Sequence, residues 1–112
     1  MPGFFWTGFY LLKDGELMAG PYQGELACQV LEKNKGVCWA AINSREVIVV
    51  EDVKKFPGHI ACNPKSKSEI AVPLKDSSEE IIGVLDIDSA VKGQFDAVDS
   101  FYLKEILKLY QI

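Results

Sequence analysis

The stretch Phe5-Trp6-Thr7-Gly8-Phe9-Tyr10-Leu11-Leu12-Lys13-Asp14-Gly15-Glu16-Leu17-Met18-Ala19-Gly20 sets the architecture. An Asp-Gly pair between two apolar runs is a strong hairpin signal, because both central residues of the tight turn need positive φ. Residues 5–13 and 16–20 are therefore predicted to pair as antiparallel strands. Period-two alternation puts Trp6, Gly8, Tyr10 and Leu12 on one face and Phe5, Phe9 and Leu11 on the other.

Working outward, residues 27–31 fit a third short strand, and residues 37–43, with Trp39, Ala40, Ala41 and Ile42, fit a short helix. Residues 47–50 are β-branched and brief, hence a strand. Residues 69–74 and 81–88 read as two more strands joined by a polar turn at 75–80. Asp96 stands in N-cap position before Val98, Tyr102, Leu103, Ile106, Leu107 and Tyr110, which recur at helical spacing. Between residues 51 and 67 the periodicity is lost. That segment holds Pro57-Gly58, the only histidine (His59), Cys62 and Asn63-Pro64, and a loop of such length in a small domain is functional or disordered. The sum is an α+β fold of five or six mostly antiparallel strands, a terminal helix and one long loop.

The bulk composition narrows the class of protein. With 112 residues, 48% apolar and 25% charged, the chain suits one globular domain and is too short for two. The formal net charge of -4 and scattered lysines offer no basic face, so nucleic acid is not an expected partner. No apolar run reaches the length of a membrane span, and the first residues lack the features of a signal peptide. Three cysteines leave one unpaired in any monomeric disulfide scheme, which favours a reducing, cytoplasmic setting.

Chemistry concentrates on few residues. Cys28, Cys38 and Cys62 match neither a redox pair two residues apart nor a paired zinc-knuckle spacing. Cys28 and Cys38 suit buried apolar thiols, whereas Cys62 lies among polar turn-formers, where reactivity explains a thiol better than packing does. His59, three residues before Cys62, is either a surface residue or a group that tunes the thiol. Asp86 and Asp88, two apart in a strand, leave the same face. Either that face is solvated, or the pair recognises a cation, with Glu69 of the neighbouring strand joining them. Trp6 and Tyr10 are core, or they wall a ligand pocket.

Several stretches together resemble a known family. They are Trp6-Thr7-Gly8-Phe9-Tyr10-Leu11-Leu12, Gly36-Val37-Cys38, Val50-Glu51-Asp52-Val53, Phe56-Pro57-Gly58-His59-Ile60-Ala61-Cys62, Ser68-Glu69-Ile70-Ala71-Val72-Pro73-Leu74 and Gly83-Val84-Leu85-Asp86-Ile87-Asp88-Ser89. The likeness, nearly end to end, is to the free methionine-R-sulfoxide reductases. It implies a GAF fold, an antiparallel sheet with helices on one side and a ligand pocket on the other. It implies Cys62 as the thiol that attacks the sulfoxide sulfur and Cys28 as the resolving thiol, with a less consistent role for Cys38. Trp6, Tyr10, Glu69, Asp86 and Asp88 would line the substrate pocket. Thioredoxin would supply reducing equivalents, with no metal or organic cofactor. The alternatives are a small-molecule-binding GAF sensor module or an inactive truncated homologue.

Two features depart from the family pattern. Trp39 replaces an expected glycine after Gly-Val-Cys and would crowd Cys38. The single domain, residues 1–112, also opens at its first strand, and the helical segment expected ahead of it is absent from this sequence. Phe5 and Phe9 would then be exposed and favour a homodimer.

Overall fold

The computed structural model describes residues 4–24, 30, 31, 33–56, 67–93 and 95–108. Cys28, His59 and Cys62 lie outside the described residues, as does most of the segment read as a third strand. Strand β1 (Phe4–Lys13) and strand β2 (Glu16–Gly24) form the expected hairpin. Asp14 and Gly15 take φ of 54° and 81°, the two positive values that a two-residue turn of this kind demands. β2 runs on past Gly20, and the register slips where Gly8 meets Tyr22 and Tyr10 meets Ala19. The slip falls at Pro21, which has no N–H to give to a ladder.

Strand β3 (Val30–Leu31) borders β2, and helix α1 (Gly36–Ser44) follows. Strand β4 (Ile48–Val50) leads into a short 3-10 helix, Val53–Lys55, within the stretch whose sequence lacks periodicity. Asp52 caps that turn by accepting from Lys54 N at 3.1 Å. Strands β5 (Ser68–Lys75) and β6 (Ile81–Ser89) come next, then helix α2 (Ala97–Lys108). Asp96 caps α2 as expected, its Oδ1 accepting from Val98 N at 2.9 Å and Asp99 N at 3.1 Å; such a cap is worth about 1 kcal/mol.

The strands form one antiparallel sheet in the order β3-β2-β1-β6-β5-β4. Its two faces carry separate clusters. On one face Ile70, Val72, Leu85 and Ile87 pack with Phe95 and Leu107, so α2 covers that side. On the other, Trp6, Tyr10, Leu17, Ala71 and Val84 pack with Val37, Cys38, Trp39 and Ala41 of α1. The two described helices thus divide between the faces, with α1 on the side where a pocket was expected. Two details correct the sequence reading. Phe9 is half-buried against the α2 cluster rather than bare. Conversely, among the described residues of the α2 stripe Leu103 and Leu107 turn inward, while Val98, Tyr102 and Ile106 are exposed, as is Phe101.

The sheet is close-packed where β6 meets β1. A Cβ on Gly83 would lie 2.5 Å from Tyr10 O and 3.2 Å from Leu11 Cα, which are backbone atoms that cannot step aside cheaply. Gly83→Ala is expected to destabilise the fold by about 1–3 kcal/mol, measured by urea unfolding. A midpoint equal to that of the unmutated chain would show that the β1–β6 spacing relaxes.

Candidate functional site

Cross-strand register assembles the candidate residues without help from any loop. Val50 lies opposite Glu69, Glu69 opposite Asp88, and Asp88 opposite Trp6. The next row runs Ile48, Ala71, Asp86 and Gly8. Directly opposed residues share a face of the sheet, so Glu69, Asp86, Asp88, Trp6 and Tyr10 all project toward α1. Gly8 brings no side chain opposite Asp86, and Ala71 only a methyl. Those small residues share the face with the acids, as do Trp6 and Tyr10, whose rings stack with centroids 5.6 Å apart.

The expectation that this face might be solvated fails. Glu69 is 6% and Asp86 4% exposed, and Asp88 is half-buried. Helix α1 covers the acids and brings Cys38, whose Sγ donates to Glu69 Oε2 at 3.9 Å. Cys38 is therefore more than an apolar filler, and the sequence carried no sign of that bond across 31 residues. Trp39 is buried beside it in the same cluster, and its Nε1 has no hydrogen-bond partner among the described residues. Asp86 Oδ1 likewise has none.

The electrostatics follow from burial with like charges. Removal from water, and then the charge of Asp88, pushes the Glu69 carboxyl up to about 8. Burial and then Glu69 hold Asp86 well above the usual carboxylate range. Burial, with Asp86 and Glu69 next, raises the Cys38 thiol well above its ordinary value. Tyr10 is raised too, by burial and then by Asp86. Each group resists becoming an anion beside the others.

The described residues on either side of the segment that carries Cys62 are fastened next to this cluster. Val53 N donates to Lys67 O at 2.9 Å, Lys67 N to Ser89 O at 2.8 Å, and Phe56 N to Val53 O at 3.1 Å. Residues 56 and 67 are thereby held at the end of β6 that carries Asp88. Ser68 Oγ, bonded to Val91 O at 2.5 Å, and the Lys92–Asp52 ion pair at 3.4 Å fasten the same corner.

A raised carboxyl pKa has a definite sign in stability. Below the unfolded value Glu69 is protonated in both states, and its neutral form suits the folded site. As pH rises toward about 8, the unfolded chain ionises first and stability falls. Glu69→Gln, a neutral isostere, is expected to stabilise the chain relative to the native residue more at pH 8 than at pH 5. Thermal midpoints at the two pH values test this, and an equal difference at both would mean that Glu69 is already ionised in the fold.

Comparison with known proteins places these features in a family. Residues 3–112 match the family model for a GAF domain. The GAF domain-containing protein A of Dictyostelium discoideum is 50% identical over 107 residues, covering 95% of this chain and 67% of that protein. The free methionine-R-sulfoxide reductase of Saccharomyces cerevisiae is 44% identical over 107 residues, covering 93% of this chain and 59% of that protein. Among solved structures, the free methionine-R-sulfoxide reductase of Neisseria meningitidis in complex with its substrate superimposes with a TM-score of 0.91 at 45% identity, covering 96% of this chain and 65% of that one. The chain thus spans roughly two-thirds or less of the length of the relatives it matches. It belongs to the GAF domain family, and within that family to the free methionine-R-sulfoxide reductases.

Proposed function

We propose that the chain reduces free methionine-R-sulfoxide to methionine in the cytoplasm, with Cys62 attacking, Cys28 resolving and thioredoxin restoring both thiols. The observation that carries this reading is the cluster of buried Glu69 and Asp86 with half-buried Asp88, on the same sheet face as the stacked Trp6–Tyr10 pair. A free amino acid brings an ammonium group, and three carboxyl groups that share a sheet face with an aromatic pair are suited to receive it. Methionine within a chain has an amide there and would leave the acids without their cation, a penalty that discriminates strongly.

The acids serve the chemistry as well. When the Cys62 sulfur bonds to the sulfoxide sulfur, the sulfoxide oxygen must take up protons. Glu69, whose carboxyl is pushed up to about 8, is the available donor, with Asp86 raised beside it. Transfer of the oxygen to sulfur leaves methionine and a Cys62 sulfenic acid. The Cys28 thiol then condenses with it, forming the disulfide and releasing water. Exchange with the thioredoxin dithiol returns both thiols. Cys38 suits the attacking role less well, because its thiol is buried, bonded to Glu69 and raised by the acids around it. It remains a secondary resolving thiol.

NADPH oxidation coupled through thioredoxin and its reductase tests the reading. Turnover is expected with free methionine-R-sulfoxide, abolished in Cys62→Ser, and lower in kcat/KM by at least about 100-fold for the N-acetylated substrate. Asp86→Asn is expected to raise KM by about 10–100-fold, the loss of a charge-assisted contact. Tight binding of free methionine by a folded chain without turnover would make it a binding module instead. Association is part of the proposal. Phe101 and Tyr102, 59% and 60% exposed, continue with Val98 and Ile106 as an apolar strip on α2, and homodimerisation through it would cover them. Sedimentation should show a concentration-dependent dimer, weakened at least about tenfold by Phe101→Lys. A monomer at all concentrations would remove the dimer from the proposal.

A further inference from the structure

The acid cluster has a second chemical capacity, set by the sulfur within it. Cys38 Sγ and one carboxylate oxygen each from Glu69 and Asp86 lie within 4.8 Å of one another, all three buried. The Cys38 sulfur stands 3.9 Å from Glu69 Oε2. A zinc ion shared by a thiolate and a carboxylate would set those atoms roughly 3.5 Å apart, from bonds of roughly 2.3 and 2.0 Å at a near-tetrahedral angle. A small side-chain rotation closes that pair, so the trio contracts around an ion rather than presenting a finished cage. Asp86 Oδ1 is buried with no hydrogen-bond partner among the described residues, and an acceptor left so at that depth calls for a ligand.

We propose that Cys38, Glu69 and Asp86 form a three-ligand site for a divalent ion of the zinc class, and that an ion held there excludes substrate and inhibits the enzyme. Three buried anions are costly alone, and a divalent ion offsets that cost more fully than an ammonium does. The sulfur sets the selectivity. One thiolate with two carboxylates suits borderline ions such as Zn2+ and Co2+, whereas Mg2+ and Ca2+ prefer oxygen throughout. Binding exchanges the protons on the Cys38 thiol and on the Glu69 and Asp86 carboxyl groups for bonds to the metal and releases them to solvent. Three protein ligands leave a fourth position for water. The inhibition rests on the reductase reading, because the ion takes the place given there to the substrate ammonium. The metal site itself does not depend on that reading.

The test is a Co2+ titration of the full chain carrying Cys28→Ser and Cys62→Ser, so that Cys38 is its only thiol. One Co2+ per chain is expected, with a thiolate-to-cobalt charge-transfer band that Zn2+ abolishes and Mg2+ leaves untouched. Adding Cys38→Ser should remove the band. Adding Glu69→Gln or Asp86→Asn should weaken binding at least as much as the ~10–100-fold typical of losing a mere supporting partner. No stoichiometric uptake, or uptake undiminished without Cys38, would overturn the site. In the chain with its native cysteines, Zn2+ should raise KM for free methionine-R-sulfoxide with kcat unchanged, and a chelator should reverse the effect. Metal uptake with KM unmoved would overturn the inhibition and leave the site. Absence of turnover with the cobalt band present would count against the reductase reading alone.

Discussion

Burying carboxyl groups side by side costs several kcal/mol unless they keep their protons or meet a cation, and the rest of this domain is organised around that constraint. Glu69 and Asp86 lie on adjacent central strands, Asp88 faces Glu69 directly, and all three point to the face that α1 covers. Without the helix the acids would be hydrated and ordinary. With it, the carboxyl groups of Glu69 and Asp86 are raised above the range of free ones. Helix α1 stays in place through Val37 and Ala41, which belong to the apolar cluster of the same face. The packing of a nine-residue helix thus sets the chemistry of three side chains from other elements.

The two faces of the sheet divide the work. The α2 side has a cluster made only of apolar groups, Ile70, Val72, Leu85, Ile87, Phe95 and Leu107, and it supplies stability without polar cost. The α1 side mixes its core residues with titratable groups and carries the strain of keeping them neutral. Because side chains alternate along a strand, β5 and β6 serve both purposes at once. Ile70 and Val72 face the stabilising side, while Glu69 and Ala71 face the site. A register slip of one residue would exchange the two sets. The tight approach of Gly83 to the β1 backbone and the long β1–β6 pairing hold the register against that slip.

Most of this frame was legible in the residues. The Asp14-Gly15 turn, the Asp96 cap, α1, the five longer strands and the shared face of Asp86 and Asp88 follow from local rules, and the fold obeys them. Burial of the acids did not follow, because alternation says which residues share a face and not whether something covers it. The same limit explains Cys38. A thiol in a helix gives no sign that its acceptor lies 31 residues away. In α2 the error ran the other way: Val98, Tyr102 and Ile106 recur with Leu103 and Leu107 at helical spacing, but a sheet contacts a narrower strip than that pattern spans. The loop between the 3-10 helix and β5 carries the family's most distinctive residues and no periodicity, so its reading came from resemblance and not from physics.

Thiol chemistry beside a cluster of acids looks self-defeating, since every anion in reach disfavours a thiolate. The conflict eases once the acids are neutral at rest. A protonated Glu69 or Asp86 adds no negative charge to the field at a nearby sulfur. It also has a proton to give at the moment when the sulfoxide oxygen needs one. On the proposed reading, an arriving ammonium stabilises the carboxylate left when a proton passes to the sulfoxide oxygen, in a site of low dielectric where that attraction is strong. The substrate would thereby supply the charge that allows the acids to ionise. A ligand without the ammonium leaves them protonated, and a cation without the sulfoxide fills their place with no oxygen to reduce. Selectivity and activation then arise from one term, the cost of burying carboxylates that lack a counter-charge.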